Sequence, residues 1–331
     1  MSDKKITRRE MLKNSGLALL GTSIFGLIPG ACSPGSKNQE SAGVSGKGKN
    51  TERPFRISIN TSTIQGYKLG IEEQIDLCIE AGFDGIELWI RDIETYINEG
   101  GTPEALADRL KKGNLLLENI IGFSNWISDD DLQRQQGLNI MQRDMELTAR
   151  LGGRFIAAPV QGIKQIEKEK LPIYSERYRK ILELGDRTEV TPILELWGAG
   201  ALNQLSDTAA ITIGTAHPKA TMLLDFYHLY RGGNSFDSLR QINGGILPVF
   251  HINDYPANPV RTELKDSDRV FPGDGVCPFN EVLPVLYNSG FRGGLSVELF
   301  NRGYWETMDA KTILRQSYEK TAKVIADSNL Q

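Results

Sequence analysis

Cysteine and histidine are both scarce, at three residues each in a chain of 331. Cys32, Cys78 and Cys277 show neither zinc-finger nor redox spacing, which excludes a structural zinc module and a Cys-x-x-Cys oxidoreductase. Cys78 lies in an apolar helical stretch, IDLCIEAGF, and reads as an inert core residue. A Cys78–Cys277 disulfide stays open. No Gly-x-Gly-x-x-Gly or P-loop follows any candidate strand, so a nucleotide phosphate lacks its usual cradle. Basic charge is not in excess: 38 Lys and Arg stand against 42 Asp and Glu, a formal charge of −4. Nothing here resembles the footprint of a nucleic-acid binder. No apolar run favours a permanent membrane span, which needs about 20 residues.

The first 32 residues read as a signal peptide. Lys4, Lys5, Arg8, Arg9 and Lys13 precede an apolar run that ends in Gly30-Ala31 before Cys32. Thr7-Arg8-Arg9-Glu10-Met11-Leu12-Lys13 resembles a twin-arginine export motif, with Met11 where Phe is commoner. Pro29-Gly30-Ala31-Cys32 resembles a lipoprotein cleavage box, with Pro29 in place of Leu. These resemblances imply export to the periplasm or cell envelope, loading of any cofactor before export, and a lipid anchor at Cys32. Ordinary signal-peptidase cleavage is the alternative. Residues 33–53 are Ser, Gly, Lys and Asn with little to bury, and read as a flexible linker. Loss of residues 1–31 removes five basic and two acidic side chains, taking the charge from −4 to −7.

From residue 54 to 331 apolar strands alternate with amphipathic helical stretches, without a domain boundary. The strand candidates are 55–60, 84–89, 115–121, 153–158, 191–196, 220–225, 247–252 and 294–299. Helical patterns include 71–81, 103–112, 132–151, 174–185, 236–243 and 279–289. Continuous apolar strands indicate burial on both faces, as in a parallel sheet. Eight strand–helix alternations are the rhythm of an α/β, (β/α)8 TIM barrel. An open doubly wound sheet is the runner-up, and it lacks its glycine-rich phosphate turn here.

Four strands end in a polar residue after an apolar run: Glu195, Asp225, His251 and Glu298. In a barrel these C-terminal ends face the active site. A carboxylate at the end of a buried strand is costly unless paired or metal-bound. Taken singly, each can instead cap the following helix. Three carboxylates and one imidazole on successive strands are best reconciled by one divalent metal ion. The mixed oxygen and nitrogen set suits Mn2+, Co2+, Zn2+ or Mg2+.

Leu224-Asp225-Phe226-Tyr227-His228 through Gly232-Gly233 resembles the D-x-x-H-x-x-x-G-G segment of the xylose isomerase-like TIM-barrel superfamily, the sugar phosphate isomerase/epimerase family. His251-Ile252-Asn253-Asp254, Arg269-Val270-Phe271-Pro272-Gly273-Asp274-Gly275 and Leu295-Ser296-Val297-Glu298 resemble its other motifs. The resemblance covers roughly 54–325. It implies that Glu195, Asp225, His251 and Glu298 hold one divalent ion. It also implies that Glu195 and Glu298 move protons next to a carbonyl through an enediolate, and that His228 binds a substrate oxygen. A metal would polarise that oxygen and a carboxylate beside it would act as base.

Other residues have two readings. His228 is a substrate ligand or a helix-surface histidine. Arg269 contacts substrate or pairs with Asp274, and Arg261 shares that ambiguity. Glu87 binds substrate or pairs with Arg91. Trp89, Trp126, Trp197 and Trp305 follow strand ends, where they stack on sugar faces or roof the core; Trp197 is taken as substrate-binding. His217, before the sixth strand, reads as structural.

The expected activity is a sugar isomerase or epimerase acting on a small-molecule sugar or glycoside. A lyase or hydratase acting on keto-glycosides shares the same first proton transfer. A non-catalytic sugar-binding lipoprotein would have lost metal ligands, and all four are present. The related apurinic endonuclease barrels need several zinc ions and many histidines. Contact with a membrane is expected only through Cys32, and homo-oligomerisation is left open.

Overall fold

A computed structural model describes residues 53–330. The expected signal peptide, lipid anchor and all but the end of the linker lie outside the described residues. The linker's last residue, Arg53, belongs to the fold instead: its guanidinium donates to Asp84 at 2.7 Å. Among the described residues no helix is long and apolar enough to cross a membrane.

Eight parallel strands close into a barrel in sequence order. They are β1 (Arg56–Asn60), β2 (Gly85–Trp89), β3 (Leu116–Ile121), β4 (Phe155–Pro159), β5 (Thr191–Glu195), β6 (Met222–Asp225), β7 (Val249–Ile252) and β8 (Gly294–Val297). Closure is made by β1 on β8, with Ile59 opposite Val297. The expected TIM barrel is therefore the fold, and every expected strand is there within two residues.

Among the described residues ten α-helices accompany the strands: α1 (Ile71–Glu80), α2 (Ile90–Asn98), α3 (Pro103–Lys112), α4 (Asp131–Arg150), α5 (Leu171–Thr188), α6 (Leu205–Gly214), α7 (Phe226–Gly232), α8 (Phe279–Asn288), α9 (Arg302–Thr307) and α10 (Ala310–Asp327). The stretch expected to be helical at 236–243 is a 3₁₀ turn over Phe236–Gln241. Helix α7 starts directly at the end of β6, with Asp225 as its N-cap accepting from the His228 amide.

Alternation along the strands sorts side chains into two layers. Ile57, Ile59, Ile86, Leu88, Leu194, Leu224, Phe250, Leu295 and Val297 pack outward against the helices. Trp89, Ile121, Ala157, Ile193, Leu223 and Val249 form a separate cluster inside the barrel. Two residues beyond Ile193, Leu223 and Val249 come Glu195, Asp225 and His251. The expected ligands are thus inward-facing side chains one layer above an apolar plug.

One irregularity shapes the interior. The β2–β3 register pairs Ile86 with Leu117 but Glu87 with Asn119, so Glu118 is an extra residue. This β-bulge lets two consecutive polar side chains enter the barrel. Glu118 accepts two hydrogen bonds from Arg56, each of 2.8 Å, and one from Ser58 at 2.9 Å. Gly85 and Gly294 leave room for it, since a Cβ there would sit 2.6 and 2.5 Å from Glu118 atoms. Asn119 turns to Glu87, donating at 2.8 Å.

Candidate active site

A cavity of about 660 Å3 opens at the C-terminal rim. Trp89, Phe123, Trp197, Tyr227 and Phe300 form much of its wall, and Glu195, His228, Arg269 and Glu298 also face it. Of the four expected metal ligands, Asp225, His251 and Glu298 each bring one ligand atom within 4.8 Å of the others. All three are buried. Glu195 lines the same cavity but stands outside this group of three.

The three-residue set fits a divalent ion on two observations. First, its donors are two carboxylate oxygens and an imidazole nitrogen, a borderline-hard set for first-row metals. Second, His251 Nδ1 is buried and makes no hydrogen bond, although Glu298 Oε2 is 3.3 Å and Asp225 Oδ2 3.6 Å away. The other ring nitrogen is taken: Nε2 lies 3.0 Å from Glu87 Oε1. A carboxylate on one nitrogen of a ligating histidine fixes the tautomer and orients the ring.

Glu87 is thereby corrected. It neither pairs with Arg91 nor faces the cavity; it is fully buried beneath His251. Arg91 donates to Gln65 and lies 4.1 Å over the Trp89 ring. For Arg269 the pairing with Asp274 is overturned, while the side chain does line the cavity. It is buried, and Asp274 pairs with Lys320 instead. Its Nη1 donates to Asp225 Oδ2 at 3.0 Å and to Glu298 Oε2 at 2.7 Å, while Nη2 donates to Asp266 at 2.7 Å. The sequence contained the arginine, but which carboxylates it meets depends on a loop crossing the barrel mouth. Arg261 donates to the carbonyls of Tyr230 and Arg231 and caps α7.

His228 is buried in the cavity wall and not on a helix surface. Arg269 Nη2 lies 3.1 Å from its Nε2. A guanidinium can only donate, so Nε2 accepts and the ring proton sits on Nδ1. Burial, then the Arg269 charge, hold this histidine well below its usual range, hence neutral. Its Nδ1 is buried and has no partner. Trp197 stacks on the same ring at 6.4 Å. Trp126 is fully buried, donates to the Pro159 carbonyl and roofs the core. Trp305 donates to the Thr63 carbonyl, away from the cavity. His217 meets Asp186 at 3.1 Å on the opposite face, as expected. Cys78 and Cys277 are both free thiols.

The two candidate proton-transfer groups differ in charge. Burial pushes the Glu195 carboxyl up to about 8; the Glu298 charge adds to this, while His251 and Trp197 oppose it. Burial would also raise Glu298, but His251 and Arg269 outweigh it and hold this carboxyl well below the usual range. One carboxyl is thus protonated and its neighbour ionised around neutrality, the pattern that separates acid from base.

Three asparagines were missed. Asn60 donates to Glu298 Oε1 at 3.0 Å, Asn253 to Asp225 Oδ2 at 2.8 Å, and Asn119 supports Glu87. Asn60 ends β1 after an apolar residue, as the four ligands end their strands, so a signal was present.

A closed parallel barrel with a buried acid–histidine group at its C-terminal rim defines a TIM-barrel protein with its site where that architecture places active sites. Over residues 75–324 the sequence matches the family described as xylose isomerase-like TIM barrel, and the chain belongs to it. Inosose isomerase of Bacillus velezensis is 26% identical over 266 residues, covering 77% of this chain and 92% of that protein. 3-Dehydroshikimate dehydratase of Pseudomonas putida is 23% identical over 255 residues, 75% of this chain and 38% of that larger protein. A 1.8 Å crystal structure of IOLI protein with a binding zinc atom shares the fold, with a TM-score of 0.76 at 21% identity over 84% of this chain and 100% of that one.

Proposed function

We propose that this chain is a divalent-metal-dependent sugar isomerase or epimerase that moves a proton next to a carbonyl through an enediolate. One juxtaposition carries the reading: Glu195 and Glu298 face one cavity, and Glu298 forms a ligand group with Asp225 and His251. Asp225, His251 and Glu298 would hold the ion, with Glu195 completing the set. A bound divalent ion supplies Lewis acidity toward substrate oxygens. The chain's own residues do the rest. One of the two glutamates takes the proton from carbon and the other returns one. His228, on the cavity wall beside Trp197, binds a substrate oxygen. The aromatic walls pack against the apolar face of a sugar ring and keep water out.

Relatives named inosose isomerase and L-ribulose-5-phosphate 3-epimerase support proton transfer beside a carbonyl. The dehydratase relative supports the second reading, in which a β-substituent departs after the same first step. The test is proton exchange in deuterated water. The purified chain, supplied in turn with Mn2+, Co2+, Mg2+ and Zn2+, is offered free ketoses, inososes and keto-glycosides. Deuterium next to a carbonyl is the expected result, and the product separates isomerisation from elimination. No exchange with any ion sinks the proposal.

The N-terminal motifs support a further proposal, that the protein is exported and lipid-anchored at Cys32. Incorporation of labelled palmitate into the wild-type chain but not into Cys32→Ser is expected. Equal labelling of both would end it.

A further inference from the structure

Glu298 has two oxygens with different duties. Oε2 faces Arg269 Nη1 at 2.7 Å and His251 Nδ1 at 3.3 Å, on the side of the ligand group. Oε1 accepts from Asn60 Nδ2 at 3.0 Å. Asn60 is fully buried at the end of β1, and its own carboxamide oxygen is doubly engaged. It accepts from Trp89 Nε1 at 2.8 Å and from the Ser62 amide at 3.0 Å. An indole N–H and a backbone N–H can only donate. The oxygen of Asn60 must therefore face Trp89 and Ser62, and its NH2 must face Glu298. The orientation of the amide is fixed by chemistry, without appeal to the resemblance of its O and N atoms.

We propose that Asn60 is a positioning residue that turns Oε2 of Glu298 to the metal, and that Trp89 sets Asn60 through its indole N–H. This rests on the reading of Glu298 as a metal ligand. Asn60 touches neither cavity contents nor the ligand group's other members; it acts through Glu298. An aspartate at this position would still accept from both donors, but would turn a second carboxylate oxygen on Oε1. Alanine would leave Oε1, the indole N–H and the Ser62 amide without their partner. Trp89 has a second surface: it lines the cavity, with Phe123 5.5 Å from its ring and Arg91 4.1 Å over it. The wall that meets substrate is thus one hydrogen bond from the residue that aims the ligand.

The experiment is Co2+ binding to the metal-stripped full chain, by calorimetry and by the visible absorption of the bound ion. The variants are Glu298→Gln, Asn60→Ala, Asn60→Asp, Trp89→Phe and the Asn60→Ala/Trp89→Phe pair. Removing a hydrogen-bonding partner of a metal ligand costs about 10–100-fold in affinity. Asn60→Ala is expected to fall in that range, with an altered absorption band. Asn60→Asp should lose at least as much. Trp89→Phe should lose less, and should add nothing in the Asn60→Ala background. Thermal unfolding of each metal-stripped variant separates loss of fold from loss of aim. Should Asn60→Ala fail to fold, Trp89→Phe with Asn60 in place carries the same readout. Unchanged binding by Glu298→Gln would overturn the ligand reading itself. Loss in Glu298→Gln with wild-type affinity and absorption in both Asn60 variants would overturn the positioning role. Additive losses in the double variant would overturn the part assigned to Trp89.

Discussion

Glu87 Oε1 lies 3.0 Å from Nε2 of His251, at the bottom of a fully buried pair. The contact spends one imidazole nitrogen on a carboxylate and leaves Nδ1 turned to Asp225 and Glu298. Asn119 holds Glu87 in turn. Glu87→Ala is therefore expected to weaken divalent-ion affinity by about 10–100-fold, with a smaller loss for Glu87→Gln, whose amide oxygen still accepts from Nε2. Calorimetric titration of the metal-stripped protein checks this. Equal affinity in wild type and Glu87→Ala would show that the histidine needs no such support.

Glu298 and Glu195 are assigned opposite protonation in one cavity. Replacing either by glutamine removes a proton-transfer group while keeping its shape. Turnover is expected to fall by about 10²–10⁴-fold for each, with a cooperative thermal transition retained. Isotope exchange into substrate is the sensitive readout. A variant that exchanges protons at the wild-type rate removes that residue from the acid–base pair.

The metal-stripped protein should lose stability as pH rises. Folded Glu195 keeps its proton up to about 8, whereas an unfolded glutamate releases it near the usual value of about 4.3. Between those limits the folded state binds more protons than the unfolded one. The carboxyl's contribution is then greatest at the acid end and falls as pH rises, by up to about 1.4 kcal/mol per pH unit. Urea unfolding across the window measures the slope. Glu195→Gln should flatten it, and a slope unaffected by that change would assign it to other groups.

At the floor of the barrel Arg56 grips Glu118 with two hydrogen bonds in space left by Gly85 and Gly294. Glu118→Ala strands the guanidinium and empties that space. A loss of about 3 kcal/mol is expected for breaking such a pair, seen as a lower urea midpoint at unchanged slope. Activity per folded molecule should be unaffected. A loss of metal affinity instead would tie the floor to the rim.

The barrel was legible because its strands are buried on both faces and say so in runs such as Ile193-Leu194 and Leu223-Leu224. Helix α6 was harder: Leu205–Gly214 mixes Thr and Ile without a clear apolar stripe. In the site, phase alone placed Asp225, His251 and Glu298 together, because residues at strand ends on one side of a closed sheet must converge. Partners across the barrel were not legible. Nothing in Gly85-Ile86-Glu87 tells that Glu87 meets a histidine five strands away, nor in Arg269 that it bridges Asp225 and Glu298. Asn60 was overlooked because an uncharged amide bears no obvious chemistry, although it occupies the same strand-end position as the ligands.

The extra residue in β3 constrains the length of that strand as tightly as its composition. Glu118 serves the floor and Asn119 the underside of the site, on neighbouring residues that regular alternation would send to opposite faces. Deleting one residue there would restore the regular pleat and leave a single polar side chain to do two jobs. Either Arg56 would lose its clamp or the Asn119–Glu87–His251 column would lose its foot. Chain-length variation in this barrel should therefore collect in the loops at the rim, while β3 keeps its residue count.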